Sequence, residues 1–533
     1  MALLLSLFLF ASCNDDDNDN DTPTLLTDGL TASNLIHYSG ANGDDLAQIT
    51  YFALAADSDA YKALPESETA KVTKIKANTL HSSLFTPDQL IAGREASGTL
   101  TVQGDSGLRI QNVSLKVPDN WNGDLVVGGT PGMRNEYASW AILAPWLLNR
   151  GYAVVAGNKG IPGGIADMLS GTHPSQHWGM MMLDLADWSR QRLEDLQGRK
   201  VAHTYAMGLS NGGYQVRRAL ELDHEAVNNG AARLFDGGLD WSGTYSPDKR
   251  VLDTDNDGQV SPQEYGDSNS LIPSIDRATL AMEWAYPTAT SITATQYDRI
   301  PRFPDAQDAV TASGYTTESA IFWGAYNTIS DAYKAIPGYE IFKGVGYYNL
   351  ISHVYRADLR GDTATEAGVY SSYNDPANPD AAPPVYAWLT SADKGNWTEE
   401  SVEYALKTAN TGEFSVPMIS LHGTADGLLG TVSNGTAYGN AVEKYGNGDL
   451  HRFFLIQNAG HVDAHADGGL DYDFNGQPGD ENAADELTPM QAYAQRSFDY
   501  LVDWVEKNVL PPDSTTVTTS PGNDVTDPDT LSW

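Results

Sequence analysis

From Leu100 the chain alternates apolar and polar positions, with Leu100 and Val102 followed by Val113, Leu115 and Val117. A period of two puts one set of side chains on a buried face, so these segments predict half-buried antiparallel strands opening a mixed sheet. The pattern then changes. Leu125 to Val127, Tyr152 to Val155 and Thr204 to Met207 are continuous apolar runs, each ending in a glycine-containing turn. Such runs suit strands covered on both faces, and Trp140 to Leu148 and Met180 to Leu193 are the helical candidates between them. A further strand-like piece ends near Leu239, and the next are Met418 to Leu421 and Phe453 to Ile456. This rhythm predicts an α/β fold with a mostly parallel sheet and helices on both faces.

Between the last two groups, the stretch from about Gly243 to Gly412 loses the strand-helix rhythm and is rich in Tyr, Trp, Phe, Pro and Gly. It reads as one large insertion, a cap or lid that splits the core domain into two segments meeting in space. The closing helix is marked by Thr488 as cap, Pro489 at the first position and Gln491 completing a capping box, with an apolar stripe of Phe498, Leu501, Val502, Val505 and Val509. The chain thus divides into an N-terminal segment 1–13, an acidic tether 14–30, an N-terminal elaboration 31–96, a core domain 97–242 and 412–510, an inserted cap 243–411, and a tail 511–533. The tail is dominated by Thr, Ser, Pro and Asp and is expected to be disordered.

Length and composition refine this. At 533 residues the chain exceeds what one hydrophobic core supports, which agrees with a large domain plus an inserted unit. Seventy acidic against 32 basic residues give a formal net charge of -38, which argues against a nucleic-acid partner, because phosphate binding draws on Lys and Arg. The run Leu3 to Phe10 is too short to span a bilayer but suits the apolar core of an export signal. Its ending, Phe10-Ala11-Ser12-Cys13, resembles a bacterial lipobox, in which the cysteine is lipidated. Cys13 is the only cysteine, so no intramolecular disulfide is possible. The expectation is an exported, cell-surface or periplasmic lipoprotein whose sole membrane contact is a lipid on Cys13.

The chemistry centres on Gly208-Leu209-Ser210-Asn211-Gly212, directly after the strand Thr204 to Met207 and directly before the helical stretch Tyr214 to Leu222. Flanking glycines permit a tight strand-to-helix turn that lifts a serine hydroxyl clear of the sheet. That hydroxyl is a poor nucleophile unless a histidine held by a carboxylate takes its proton. Asp426 follows the strand ending Leu421-His422-Gly423, and His461 follows the strand Phe453 to Ile456. His465 is the rival base. Asp240, just beyond the strand after the elbow helix, is the rival acid. Donors for a developing oxyanion are expected from the N–H of Asn211 and from the loop Gly128-Gly129-Thr130-Pro131-Gly132. There Thr130 is favoured because Pro131 has no N–H.

Together, the serine elbow, the Gly-Gly-Thr-Pro-Gly loop, the Asp426 turn and Gly460-His461 resemble the α/β-hydrolase superfamily. The resemblance covers roughly 97–242 and 412–510, and it implies a serine hydrolase with a Ser210, Asp426, His461 triad and no organic cofactor. The approach Val117-Pro118-Asp119-Asn120-Trp121-Asn122-Gly123 and the bulky insertion are loosely similar to secreted esterases of the tannase and feruloyl esterase group. That group places cysteines directly before its serine and directly after its histidine, where this chain has Leu209 and Val462. Hydrolases of hydroxyalkanoate oligomers are an equally loose comparison. A carboxylic ester, small or polymeric, is the expected substrate. A prolyl-type peptidase or amidase and a catalytically silent surface binder are the competing readings.

A second motif opens the insertion. Asp253, Asp255, Asp257, Gln259, Ser261 and Glu264 occupy positions 1, 3, 5, 7, 9 and 12 of an EF-hand loop, with Gly258 at the bend. Structural Ca2+ is the expectation. Asp471, Asp473, Asn475 and Gly476 begin a similar pattern, but Asn482 stands where the closing carboxylate belongs. Trp284, Tyr286, Phe322, Trp323, Tyr326, Tyr347 and Tyr348 could line an acyl pocket or form the core of the cap. His173 and His177 lie on the loop after Tyr152 to Val155, without zinc-type spacing.

Overall fold

The computed structural model describes residues 35–40, 47–51, 91–104, 107–138, 143–268, 270–271, 273, 355, 358, 397–426, 428–461, 463, 488–519 and 527–533. The N-terminal signal and tether, the Asp471 loop, His465 and most of the inserted cap, including its seven singled-out aromatics, lie outside the described residues.

One 11-stranded sheet organises the molecule. Its strands are β1 (Leu35–Gly40), β2 (Ala47–Tyr51), β3 (Ile91–Gly104), β4 (Gly107–Pro118), β5 (Leu125–Gly129), β6 (Ala153–Gly157), β7 (Thr204–Leu209), β8 (Gly237–Trp241), β9 (Met418–Gly423), β10 (His451–Ile456) and β11 (Thr515–Val517). The spatial order is β1-β3-β4-β6-β5-β7-β8-β9-β10-β11, with β2 also paired to β3. Strands β1 to β4 are antiparallel, β4 pairs antiparallel with β6, and the pairs from β6 across to β11 are parallel. This is the α/β-hydrolase fold expected from the sequence. The sheet begins earlier than the boundary at 97, because β3 starts at Ile91 and the preceding segment supplies β1 and β2.

The central strands alternate between two cores, which is why they read as continuous apolar runs. Leu125, Val127, Ala153, Val155 and Ala206 face α2 (Trp178–Gln197) and α3 (Asn211–Asn228). Val126, Val154, Tyr205 and Met207 face α1 (Ala144–Asn149) and α5 (Gln491–Lys507). A helix α4 (Ala437–Tyr445) joins the first of these layers through Tyr438, Ala441 and Val442. A period of two therefore persists, but both phases are apolar because both faces are covered.

Two local expectations are corrected. Helix α5 starts at Gln491 without a side-chain cap of its own. Its first N–H groups, of Met490 and Gln491, donate at 2.8 Å to the carboxylate of Asp463, while the Thr488 hydroxyl bonds Thr519. Asn508, in the left-handed conformation, ends the helix, so Val509 falls outside the apolar stripe and is 53% exposed. The tail is not wholly disordered either. Thr515–Val517 pairs with β10, and Trp533 meets Phe454, Tyr493 and Tyr500. The β-branched run supplies strand propensity, and the open edge of β10 supplies unpaired backbone groups.

A buried ion pair ties the antiparallel end of the sheet to α2: Arg109 on β4 donates to Asp184 at 2.7 and 2.8 Å. Burial pushes the Asp184 carboxyl up and Arg109 opposes it. Arg109→Met leaves that carboxylate unpaired in the interior, and urea unfolding at neutral pH should register a loss of about 3–5 kcal/mol. Adding Asp184→Leu should recover most of it, and a double variant no more stable than the single one would contradict this account.

Candidate active site

Strand β7 runs out at Leu209, and Ser210 turns the chain into α3 with φ 61° and ψ −122°. That backbone region is nearly closed to residues with a Cβ and costs on the order of 1–3 kcal/mol. The surroundings hold it there. The Ser210 N–H donates to the Trp241 carbonyl at 2.8 Å, and its carbonyl accepts the Tyr214 N–H at 2.9 Å. Neighbouring backbones approach so closely that only glycine fits. A Cβ on Gly208 would sit 2.4 Å from the Gly212 carbonyl oxygen, and one on Gly212 would sit 2.3 Å from that of Gly129. The motif's glycines thus press the serine turn against the end of β5.

The acid and base come from the turns after β9 and β10. These turns are stitched together: the Thr424 N–H donates to the Ile456 carbonyl at 3.0 Å and the Ala425 N–H to that of Ala459 at 2.9 Å. His461 Nδ1 lies 2.7 Å from Asp426 Oδ2, and both residues are buried. The other carboxylate oxygen accepts the N–H groups of Leu428 and Leu429, at 3.0 and 2.8 Å. His422 Nε2 stands 3.2 Å from Asp426 Oδ2 and 3.0 Å from the Leu429 carbonyl, a partner not anticipated from the sequence. Burial alone would raise the Asp426 carboxyl. The charge of His461 and hydrogen bonds from both histidines outweigh it and hold the group well below the usual carboxylate range.

Asp240, the rival acid, is committed elsewhere. Its Oδ2 receives Arg217 Nε at 2.8 Å, and its Oδ1 receives the Gly243 N–H at 2.8 Å. Strands β7 to β10 are parallel, so their carboxyl-terminal turns, carrying Ser210, Asp426 and His461, share one edge of the sheet. The structure joins Asp426 to His461. Among the described residues no hydrogen bond links the Ser210 hydroxyl to His461.

The loop after β5 differs from expectation. The Thr130 N–H donates to Gln215 Oε1 at 2.9 Å, so the anticipated oxyanion donor is already taken by a side chain one turn into α3. Asn211 stands at the first position of α3, and its side chain bridges Gly132, Thr244 and Tyr355. Lys159, in the turn after β6, is fully buried and reaches the same loop: its Nζ donates to the Thr130 carbonyl at 2.7 Å and to the Gly132 carbonyl. Burial, and to a lesser degree Arg134, pushes its pKa well down. A lone lysine directly after the apolar run of β6 was the one available sign of it.

Two described residues of the insertion, Tyr355 and Asp358, pack against this region. Asp358 accepts from the Ser175 hydroxyl, and burial raises its carboxyl to about 7. A cavity of about 20 Å³ lies beside Asn211, between Trp178, Tyr214, Thr244 and Tyr355. His173 stacks on Tyr404, ring centroids 4.3 Å apart, and His177 closes the short turn before α2. Neither belongs to a group of potential metal ligands among the described residues.

Three of the six residues singled out in the acidic loop converge. Asp253, Asp255 and Asp257 each offer a carboxylate oxygen within 4.8 Å of the others, and the chain reverses at Gly258 with φ +88°. Asp253 accepts the N–H groups of Asp257 and Gly258, at 3.1 and 2.8 Å. The Glu264 carboxyl is held down at about 2, first by the Ser261 N–H and then by the Thr254 hydroxyl. Convergent carboxylate oxygens around a glycine bend are the donor type a hard divalent cation takes.

No protein-family model matches the chain, and no curated protein matches it. Solved structures similar to it include feruloyl esterase B from Aspergillus oryzae, at 13% identity over 90% of this chain and 89% of that one, with a TM-score of 0.42. Tannin acyl hydrolase from Aspergillus niger is 12% identical over 89% and 84%, with a TM-score of 0.39. The rice cell wall degrading esterase LipA from Xanthomonas oryzae is 13% identical over 78% and 91%, with a TM-score of 0.37.

The depressed Asp426 carboxyl sets the sign of a pH effect. Its folded pKa lies below the unfolded value of about 3.9, so its contribution to stability is complete above that pH and fades as pH falls further. The stability gap between wild type and Asp426→Asn, measured by denaturant unfolding, should therefore narrow as pH falls below about 4. A gap that widens below that pH would contradict the assignment.

Proposed function

We propose that this chain is an exported serine hydrolase that cleaves carboxylic esters. The observation that carries the reading is the pairing of a strained Ser210 turn with a His461 locked by Asp426, both at one edge of a parallel sheet. In this reading Ser210 Oγ attacks the ester carbonyl while His461 Nε2 takes its proton. The tetrahedral oxyanion is received by the Asn211 N–H and a second donor from the loop after β5. The intermediate collapses as His461 gives the proton to the departing alcohol, leaving an acyl-Ser210. Water, deprotonated by the same imidazole, then releases the acid and restores the hydroxyl. Asp426 keeps the histidine in the tautomer whose Nε2 faces outward and stabilises the imidazolium.

The acidic loop is proposed to hold structural Ca2+ through Asp253, Asp255, Asp257, Gln259, Ser261 and Glu264, fixing the start of the insertion beside the site. Cys13 is proposed as a lipid attachment point that keeps the enzyme at the cell surface or in the periplasm, and the small or polymeric ester substrate is its proposed partner.

Ser210→Ala should abolish fluorophosphonate labelling and reduce p-nitrophenyl ester hydrolysis by at least about 10³-fold, with thermal stability retained. Labelling that survives the substitution would exclude Ser210 as nucleophile. Faster turnover of aminoacyl anilides than of esters would move the assignment to a peptidase. Ca2+ should raise the thermal midpoint of wild type and leave Asp253→Ala/Asp255→Ala unchanged; an equal shift in both would discount the loop as the site.

A further inference from the structure

A buried lysine ordinarily needs a carboxylate, because removing an ammonium ion from water costs several kcal/mol. Lys159 has none in ion-pair range among the described residues. Its surroundings are two carbonyls of one loop, Thr130 and Gly132, and the face of Trp178, whose ring centroid lies 4.5 Å from Nζ. Three N–H donors thus meet two carbonyl oxygens and one electron-rich ring. The turn is built to hold the lysine there: Lys159 itself adopts φ 60°, and Asn158 ties its own backbone N–H to the Asn112 carbonyl on β4.

The loop it grips lies against the serine turn, Gly129 touching Gly212 and the Asn211 side chain donating to the Gly132 carbonyl at 3.1 Å. Every other polar group of Thr130 is accounted for. Its N–H goes to Gln215 and its hydroxyl to the Gly157 carbonyl at 2.5 Å. Pro131 has no N–H. The N–H groups of Gly132 and Met133 find no protein acceptor among the described residues. In a trans peptide the C=O and N–H point oppositely, so pinning the Gly132 carbonyl also sets the direction of the Met133 N–H.

We propose that Lys159 is a positioning residue for the reaction of Ser210. By drawing the Thr130 and Gly132 carbonyls to its ammonium group, it keeps two acceptors from turning toward the nascent oxyanion and leaves the Gly132 and Met133 N–H groups as the loop's donors. A carbonyl oxygen swung toward that anion would repel it, and donors pre-aimed at developing charge are among the largest single contributions to such catalysis. The inference rests on the serine hydrolase reading.

The test uses the full chain, p-nitrophenyl butyrate and a fluorophosphonate, with Lys159→Met, Lys159→Gln and Ser210→Ala compared side by side. Lys159→Met should lower kcat by about 10²-fold and slow phosphonylation to a similar extent, while KM changes by less than about threefold. Lys159→Gln, which keeps two N–H donors but not the charge or the reach, should lie between wild type and the methionine variant. If Lys159→Met does not fold, the glutamine variant carries the test through a reduced kcat at unchanged KM. A kcat within about threefold of wild type in a folded methionine variant, a loss confined to KM, or, in the absence of that variant, a glutamine variant with wild-type kcat would overturn the proposal. An active Ser210→Ala would overturn the serine reading and this inference with it. An inactive Ser210→Ala beside an unimpaired Lys159→Met would overturn this inference alone.

Discussion

The close backbone approach between the end of β5 and the first turn of α3 is the constraint on which the site depends. Gly129 and Gly212 stand so near one another that a Cβ on either would collide with the other's carbonyl, and Gly208 completes the contact. This packing holds Ser210 in a backbone conformation it would not adopt alone. It also brings the first N–H groups of α3 beside the loop that follows β5. The serine turn and the loop after β5 come from segments some 80 residues apart, and three glycines make them neighbours.

The rest of the site is a study in committing polar groups so that few remain free. Arg217 takes Asp240, Gln215 takes the Thr130 N–H, Lys159 takes two loop carbonyls, and Asp426 collects two histidines and two backbone N–H groups. Unsatisfied polar groups are costly in so buried a place, so each commitment both stabilises the site and removes a competitor for the chemistry. Among the described residues, the Ser210 hydroxyl, the Asn211 N–H, His461 Nε2 and the N–H groups of Gly132 and Met133 have no hydrogen-bond partner.

Two cores rather than one hold this arrangement. The sheet is sandwiched between α2, α3 and α4 on one face and α1 and α5 on the other, with strand residues alternating between them. Asp463, two residues beyond His461, closes the first N–H groups of α5, so the turn bearing His461 is anchored to a helix of the second core. His461 is thereby positioned from both its carboxylate side and its chain side.

The sequence by itself determined the strands between Leu100 and Ile456, the serine turn, the Asp426 and His461 turns and the spacing of the acidic loop. These are local: apolar runs, glycine spacing and alternating carboxylates depend on residues within a dozen positions of one another. Only the tertiary structure decided which acid meets His461, that Thr130 is not a free donor, that Lys159 grips the loop after β5, that Asp463 caps the last helix and that the tail adds a strand. Each of these depends on a partner distant in the chain, such as Gln215 for Thr130 or β10 for Thr515–Val517. A hydrogen bond between remote residues leaves no periodicity in sequence, because it needs only one donor and one acceptor brought together by the packing of everything else.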